Sequence, residues 1–159
     1  MTDTPDRIDA VRVLTRLNRL LETVDSGLTI PQYRVLMALS HGGIRSAMLA
    51  ERLAVRRPTL TAIADGLVAA GYAVRESEPG DRRVVQLRVT DAGRAALRRA
   101  DQAYVAKLGP LFDEIAGDRL VADLIAIGEV LDERLRHKIA VPVPVPVPVP
   151  IPEAAEATV

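Results

Sequence analysis

Two short stretches of the sequence concentrate side chains that could recognise a polyanion. Residues 56–61 read RRPTLT, and residues 81–83 read DRR. A guanidinium presents a planar fork of donors that fits phosphate oxygens and the edge of guanine, and threonine hydroxyls suit phosphates. The carboxylate of Asp81 can hold a neighbouring guanidinium in a fixed orientation. The chemistry that these residues predict is binding to a nucleic acid.

Residues 49–67 must present the first stretch. They read LAERLAVRRPTLTAIADGL, which predicts two helices joined by a tight turn at Ala54-Val55. Ser46 is the predicted N-cap of the first helix, and the second begins near Arg57-Pro58 and ends near Gly71. The side chains expected to point inward or to fill the crossing are Leu49, Ala50, Leu53, Val55, Leu60 and Ile63. Such a helix pair also occurs as plain structural packing.

Two predicted strands carry the second stretch. Residues 72–76 and 85–89 alternate between apolar and polar side chains, and residues 77–82 separate them. A ribbon tipped with Asp81, Arg82 and Arg83 has the shape of a wing that lays a guanidinium into the narrow minor groove of DNA. A solvated turn with a charge cluster is the alternative that these residues leave open.

Apolar residues at three- and four-residue spacing predict helices on both sides of this middle segment. The first covers residues 5–26 and ends at Ser26-Gly27, and Thr29 with Gln32 predicts a capping box for the second, through residue 39.

After the hairpin, Thr90 or Asp91 is expected to cap a fifth helix, which Gly109-Pro110 should break or kink, and a last helix ends near residue 138. Residues 141–152 are five Val-Pro pairs and one Ile-Pro, which predicts an extended polyproline II segment of about 37 Å. Two interpretations of this tail stay open: a stiff tail with no role, and a segment that docks on a partner groove or along a dimer.

Composition narrows the class of protein. The chain has 159 residues, enough for one globular domain with appendages, and its apolar fraction of 48% with only 3% aromatic residues favours packed helices. The lack of cysteine excludes disulfides, thiolate metal sites and thiol redox sensing, and two histidines offer little for a metal site. No stretch approaches the ~18 apolar residues of a membrane span, so we expect a soluble, cytoplasmic protein.

The net charge is zero, but the charges are unevenly distributed. Residues 44–99 contain eleven arginines and six acidic residues, so their net charge is +5. Residues 100–159 contain five basic and ten acidic residues, so their net charge is −5. A basic middle segment indicates contact with phosphate, although scatter over a solvated surface would give a similar count. We expect no enzyme, cofactor or metal, because the sequence has no Gly-rich phosphate loop, metal-ligand spacing, cysteine nucleophile or plausible Ser-His-acid order.

Three motifs together resemble the multiple antibiotic resistance regulator (MarR) family. Residues 81–90, DRRVVQLRVT, are similar to that family's wing signature, D-x-R-x-x-x-[LV]-x-[LV]-T, and Ala92-Gly93 follows them. Residues 28–36, LTIPQYRVL, resemble its second-helix opening, and residues 57–61, RPTLT, resemble its recognition-helix start. The similarity spans about residues 5–138.

The resemblance implies a mainly α fold with a small β-hairpin wing, a winged helix-turn-helix, assembled as a triangular homodimer. Residues 5–26 and 92–138 would form the helical dimerisation region, residues 29–91 the DNA-binding lobe, and residues 139–159 the Val-Pro-rich tail. The implied function is that of a DNA-binding transcriptional regulator, a ligand-responsive repressor that binds a pseudo-palindromic operator.

Individual roles also follow from the resemblance. Arg83 would reach the minor groove with Asp81 steering it, and Thr59 and Thr61 would lie in the major groove. The residues assigned to double-stranded DNA are Ser46, Arg56, Arg57, Thr59, Thr61, Arg75, Asp81, Arg82 and Arg83.

Many members of this family release DNA when a small anionic or phenolic compound binds between the dimer helices and the winged lobe. In this chain that region would be lined by Arg12, Arg16, Tyr33, Met37 and His41. The alternative is that Tyr33 and Met37 are core residues and that His41 caps a helix end. The expected partners are therefore DNA, a second copy of the chain and a small aromatic or phenolic effector, without a membrane.

The recognition helix departs from the family pattern. Ala62 and Gly66 stand where charged residues are usual, so the outward face is bare, and Gly66 costs about 1 kcal/mol of helix propensity. Arg56, Arg57 and the wing would have to supply the affinity. The alternative function is a winged-helix module that binds a ligand or another protein, with weak or no specific DNA binding.

Overall fold

The computed structural model describes residues 4–78, 81–115 and 117–138, and their side chains except at positions 4, 5, 78, 81–84 and 135–138. The Val-Pro tail and the hairpin residues 79–80 lie outside the described residues. The elements of the described part, in chain order, are α1 (Thr4–Glu22), α2 (Ile30–Leu39), β1 (Ile44–Arg45), α3 (Ser46–Arg52), α4 (Arg57–Ala69), β2 (Ala73–Glu78), β3 (Asp81–Val89), α5 (Asp91–Ile115) and α6 (Gly117–Lys138).

The strands form one antiparallel sheet in the order β1-β3-β2. The β2–β3 pairing runs from Ala73 opposite Val89 to Ser77 opposite Val85 and then shifts to Glu78 opposite Asp81. The hairpin prediction is therefore confirmed, with strands that reach closer to the tip than expected. The sequence did not predict β1, because two residues are too few to show an alternation.

The core lies in the winged lobe and the first half of α5. Its buried residues are Leu28, Val35, Leu36, Ala38, Leu39, Leu49, Ala50, Leu60, Ala64, Leu67, Ala73, Leu87, Ala96, Ala100 and Tyr104. The predicted inward-facing residues of the helix pair belong to it, since Leu49, Ala50 and Leu60 are buried and Leu53, Val55 and Ile63 pack against it. A mainly α winged helix-turn-helix fold is therefore confirmed.

The turns before and after α4 are of one type. After α3 and after α4 the chain passes through a left-handed residue, Ala54 (φ 53°) and Gly71 (φ 73°). In both turns the next amide reaches back to a helix carbonyl, from Val55 to Ala50 (3.0 Å) and from Tyr72 to Leu67 (2.9 Å). The predicted turn at Ala54-Val55 and the glycine stop at Gly71 are confirmed.

The junction of hairpin and α5 is tightly packed. The Thr90 hydroxyl donates to the Gly71 carbonyl (2.7 Å) and accepts from the Gly93 amide (3.0 Å), so Thr90 is the cap that the sequence placed at Thr90 or Asp91. A Cβ at Gly93 would overlap the Tyr72 carbonyl oxygen, so only glycine fits this crossing. The wing and α5 are thereby held together.

The predicted end of α1 is wrong. The helix stops at Glu22 rather than at Ser26-Gly27, because amides 23 and 24 bond carbonyls only three residues back and the Thr23 hydroxyl binds the Leu20 carbonyl (2.7 Å). Ser26, which the prediction placed at the end of the helix, is instead buried, with 7% of its surface exposed.

Two further predictions about helix ends need correction. Ser46 is the first residue of α3 and not its cap, because β1 pairing keeps Arg45 extended and puts Arg45 at the cap position without a side-chain cap bond. Gly109-Pro110 does not break α5, which continues to Ile115, because the loss of one amide donor at an exposed proline is not enough to stop the helix; a kink there stays a prediction. The next helix starts at Gly117, which is in the left-handed region (φ 38°).

Candidate nucleic-acid interface

The start of α4 is an exposed end with two guanidinium groups. Arg56 occupies the N-cap position without a side-chain cap bond, and Arg57 and Pro58 open the helix. Arg56, Arg57 and Thr59 are all exposed. The amides of a helix start attract anions, so this end combines backbone donors with two permanent positive charges. The Thr61 hydroxyl donates within the helix to the Arg57 carbonyl (3.0 Å) and is exposed.

The two faces of α4 differ sharply. Leu60, Ala64 and Leu67 are buried against the lobe, whereas Ala62 and Gly66 are exposed. The bare outward face inferred from the sequence is therefore present. A Cβ at Gly66 would meet only the side-chain amide nitrogen of Gln32, at 3.7 Å, which is an ordinary van der Waals contact.

Ion pairs join the hairpin to α4 and stiffen the hairpin itself. Arg75 on β2 contacts Asp65 on α4 at 2.6 Å, and Arg88 on β3 contacts Glu76 on β2 at 3.2 Å. Arg75, which the sequence assigned to DNA, thus has a carboxylate partner that the sequence did not reveal. The two residues lie ten positions apart and meet only because the turn at Gly71 folds β2 back along α4.

The remaining DNA candidates lie at the start of α3 and near the hairpin tip. Ser46 is exposed at the first position of α3. Asp81, Arg82 and Arg83 belong to β3, and their side chains are outside the described part of the structure.

The five effector candidates do not form one cluster of contacts. The Tyr33 hydroxyl donates to the Asp101 carboxylate (2.7 Å), and this bond joins α2 to α5. Arg12 is paired with Asp9 at 3.0 Å, and both side chains are exposed. His41 shares a hydrogen bond with the Ser40 hydroxyl (2.9 Å). The other two, Arg16 and Met37, are exposed.

Tyr33 is the centre of a polar and aromatic contact between helices. Its ring meets that of Tyr104 edge to face, with centroids 5.0 Å apart at 81°. Burial, and then the hydrogen bond to Asp101, raise the pKa of Tyr33 well above its ordinary value of 10.0. On the far side, the Tyr104 hydroxyl lies 3.2 Å from the Ser26 hydroxyl. A chain of contacts therefore runs from Asp101 to the loop that precedes α2.

Two other kinds of site are absent from the described residues. Among the described side chains, no three histidine or acidic residues are grouped so that they could hold a metal ion. In the same part of the chain, no helix combines the length and the apolar character that crossing a bilayer requires.

Comparison with known proteins points to one family. A family model described as the MarR family matches residues 26–84. The HTH-type transcriptional repressor MdtR of Bacillus subtilis is 36% identical over 76 residues, which cover 46% of this chain and 49% of that repressor. The chain thus spans about half the length of this curated relative.

Two solved structures cover more of the chain. The transcriptional repressor CouR, bound to a 23-mer DNA duplex, is 30% identical with a TM-score of 0.65, over 77% of this chain and 89% of CouR. Wild-type MarR from E. coli, in its apo form, is 25% identical with a TM-score of 0.65, over 82% of this chain and 98% of MarR.

Proposed function

This chain belongs to the MarR family of transcriptional regulators, and from that premise we propose that it binds a pseudo-palindromic DNA operator as a ligand-responsive homodimeric repressor. The observation that carries the proposal is the exposed, arginine-bearing start of α4, which the Arg75–Asp65 ion pair joins to the hairpin. The similar repressor CouR has been solved bound to a DNA duplex, which supports DNA binding by this chain.

In the proposed complex, α4 enters the major groove with its first turn. Arg56 and Arg57 supply the guanidinium contacts, with Thr59 and Thr61 beside them, because the following outward positions, Ala62 among them, offer little to hydrogen-bond a base. Affinity then depends on the helix start more than on the helix face.

The wing supplies the second contact. Arg83 reaches the minor groove with Asp81 orienting its guanidinium, Arg82 contacts phosphate, and Ser46 binds phosphate from the start of α3. Arg75 has a double role, since it holds α4 through Asp65 and lies on the strand that leads to the tip.

Dimerisation is proposed through α1, α5 and α6, residues 5–26 and 92–138, around the lobe at residues 29–91. None of the described side chains of α1 or α6 is buried, and apolar side chains on these helices are exposed, with Val11 at 62% and Ile125 at 59%. An amphipathic helix without a covered apolar face needs a partner surface, and a second copy offers the matching one. Sedimentation equilibrium should give a dimer, and Val11→Glu should shift it toward monomer.

An effector is proposed to act where the lobe meets the dimer helices. Tyr33 supports this position because it bonds Asp101 across the contact between α2 and α5. Arg12, Arg16, Met37 and His41 remain candidates for contacts that the second copy would complete.

The decisive test is a DNA titration. The protein should bind DNA from its own upstream region at least tenfold tighter than unrelated duplex, and its affinity should fall steeply with salt. Arg83→Ala should weaken specific binding by about 1–3 kcal/mol while the protein stays folded and dimeric. Equal affinity for both duplexes, without salt dependence, would contradict the proposal and favour the ligand- or protein-binding module that the bare α4 face suggests.

A further inference from the structure

The outward face of α4 is apolar and made of small residues. The exposed positions opposite the buried side of this helix hold Pro58, Ala62, Gly66 and Ala69. At about 100° per residue, the side chains of Pro58, Ala62 and Ala69 fall within an arc of about 40° on the helix surface. None of these side chains can donate or accept a hydrogen bond.

The two polar side chains between residues 61 and 69, Thr61 and Asp65, are already engaged. The Thr61 hydroxyl donates its only hydrogen to the Arg57 carbonyl (3.0 Å), so it can act toward a base solely as an acceptor. One carboxylate oxygen of Asp65 accepts a hydrogen bond from Arg75 of the hairpin (2.6 Å). Residues 61–69 therefore present no side-chain donor to a base.

This chemistry suits one particular group in the major groove of DNA. Guanine presents two acceptors there, which only a donor can read, whereas thymine presents an acceptor oxygen and a C5-methyl group. An apolar contact is sufficient to recognise that methyl group, and alanine is one of the side chains that make such contacts. The outward face of α4 is therefore complementary to thymine and not to guanine.

Gly66 is independent evidence that something approaches this face closely. Glycine is disfavoured inside a helix, and the fold does not require it here, because a Cβ would meet only the side-chain amide nitrogen of Gln32 at 3.7 Å. Gly71 and Gly93 differ, since one has a left-handed backbone and the other lies against the Tyr72 carbonyl. A residue without a Cβ lets the backbone come nearer to a ligand, which gives Gly66 a reason outside the chain.

We propose that α4 reads its half of the operator through thymine methyl groups, which contact Pro58 and Ala62 and pass close to the backbone at Gly66. Arg56 and Arg57 hold the duplex at the start of the helix, so affinity and base preference come from different parts of α4. The inference rests on the proposed function, because it names the base that the same surface selects. The lack of charged residues on this face is then a means of selection.

Replacing thymine by deoxyuridine tests the methyl contact directly. Uracil pairs with adenine as thymine does and lacks only the C5-methyl group. The probe is the shortest duplex from the protein's own upstream region that retains full affinity, substituted at one thymine position at a time and titrated with the full chain at fixed salt. At one or two positions in each half-site the affinity should fall about fourfold, the effect of losing one buried CH₂-sized group, and elsewhere it should not change.

Variants of the chain connect these methyl groups to Ala62. In Ala62→Gly the ratio of affinities for the thymine and uracil duplexes should fall below about twofold at a sensitive position, because the apolar partner of the methyl group is gone. Arg56→Ala should weaken binding to both duplexes and preserve the ratio. Ala47→Gly, which removes the same methyl group from an exposed position of α3, should also preserve it.

Gly66→Ala separates the stability of the fold from DNA binding. The added Cβ has room within the lobe, so the variant should be folded and at least as stable as the wild type in thermal unfolding. The same methyl group would stand between the helix backbone and the base edges, and it should weaken operator binding by about tenfold or more. A glycine with a merely structural role would not move stability and binding in opposite directions.

Three results would overturn the proposal. They are a specifically bound duplex in which no thymine is sensitive to the change to uracil, a sensitivity that survives in Ala62→Gly, and wild-type operator affinity in Gly66→Ala. Failure of the proposed function would be seen separately, as equal affinity for upstream and unrelated duplexes in the DNA titration, and it would overturn both conclusions.

Discussion

Replacing Tyr33 by phenylalanine should change how the stability of the protein depends on pH. In the folded chain, burial and the Asp101 hydrogen bond raise the pKa of Tyr33 well above 10.0, so the fold favours the neutral phenol. This stabilisation is complete below pH 10 and is lost as the pH rises further. If the phenol stays neutral in the fold through pH 11, linkage lowers the free energy of unfolding by about 0.4 kcal/mol at pH 10 and about 1.4 kcal/mol at pH 11. Phenylalanine does not titrate, and its only cost is the lost hydrogen bond, about 1 kcal/mol for a half-buried group.

Urea unfolding at fixed chain concentration, between pH 8 and pH 11, measures this effect. Wild type should be more stable than Tyr33→Phe by about 1 kcal/mol at pH 8, and the two should converge near pH 11. In Asp101→Asn most of the alkaline loss should persist, because burial is the larger cause of the raised pKa. Parallel stability curves for wild type and Tyr33→Phe up to pH 11 would refute this account of the contact.

Other predictions concern the packing of α4 and α5. Gly66→Ala should stabilise the fold by about 1 kcal/mol, a rise in Tm of about 2–4 °C by calorimetry, since its Cβ meets no obstacle. Gly93→Ala should destabilise it by about 1–3 kcal/mol, because the Cβ overlaps the Tyr72 carbonyl; unchanged stability would show that the crossing can open. A double-mutant cycle on Asp65 and Arg75, which retain 56% and 41% exposure, should give a coupling of at most about 1 kcal/mol; a larger value would mean stronger coupling than an exposed pair supplies.

Local signals in the sequence were sufficient for much of the fold. The capping box of Thr29 and Gln32 is present, with bonds of 3.0 and 3.3 Å in the two directions, because all of its atoms lie within four residues. Gly71 likewise predicts the end of α4, because glycine adopts the left-handed backbone conformation that the chain has there. Such features depend on neighbours along the chain, which a sequence displays directly.

Features made by distant residues were not predictable. Ser26 and Tyr104 are 78 positions apart, and Tyr33 and Asp101 are 68 positions apart, so neither contact produces a pattern that can be recognised in the sequence. The sequence placed the effector site by family resemblance, near Arg12 and Arg16, and this placement stays a prediction.

The uncovered faces of α1 and α6 also bear on how the amount of protein controls its activity. Because apolar side chains of both helices are exposed in the single chain, part of their stability would come from association and would follow mass action. In the proposed dimer, dilution would separate the two lobes and remove the second half-site contact at the same time. The concentration of the chain would then act as an input to repression in its own right, beside any small molecule.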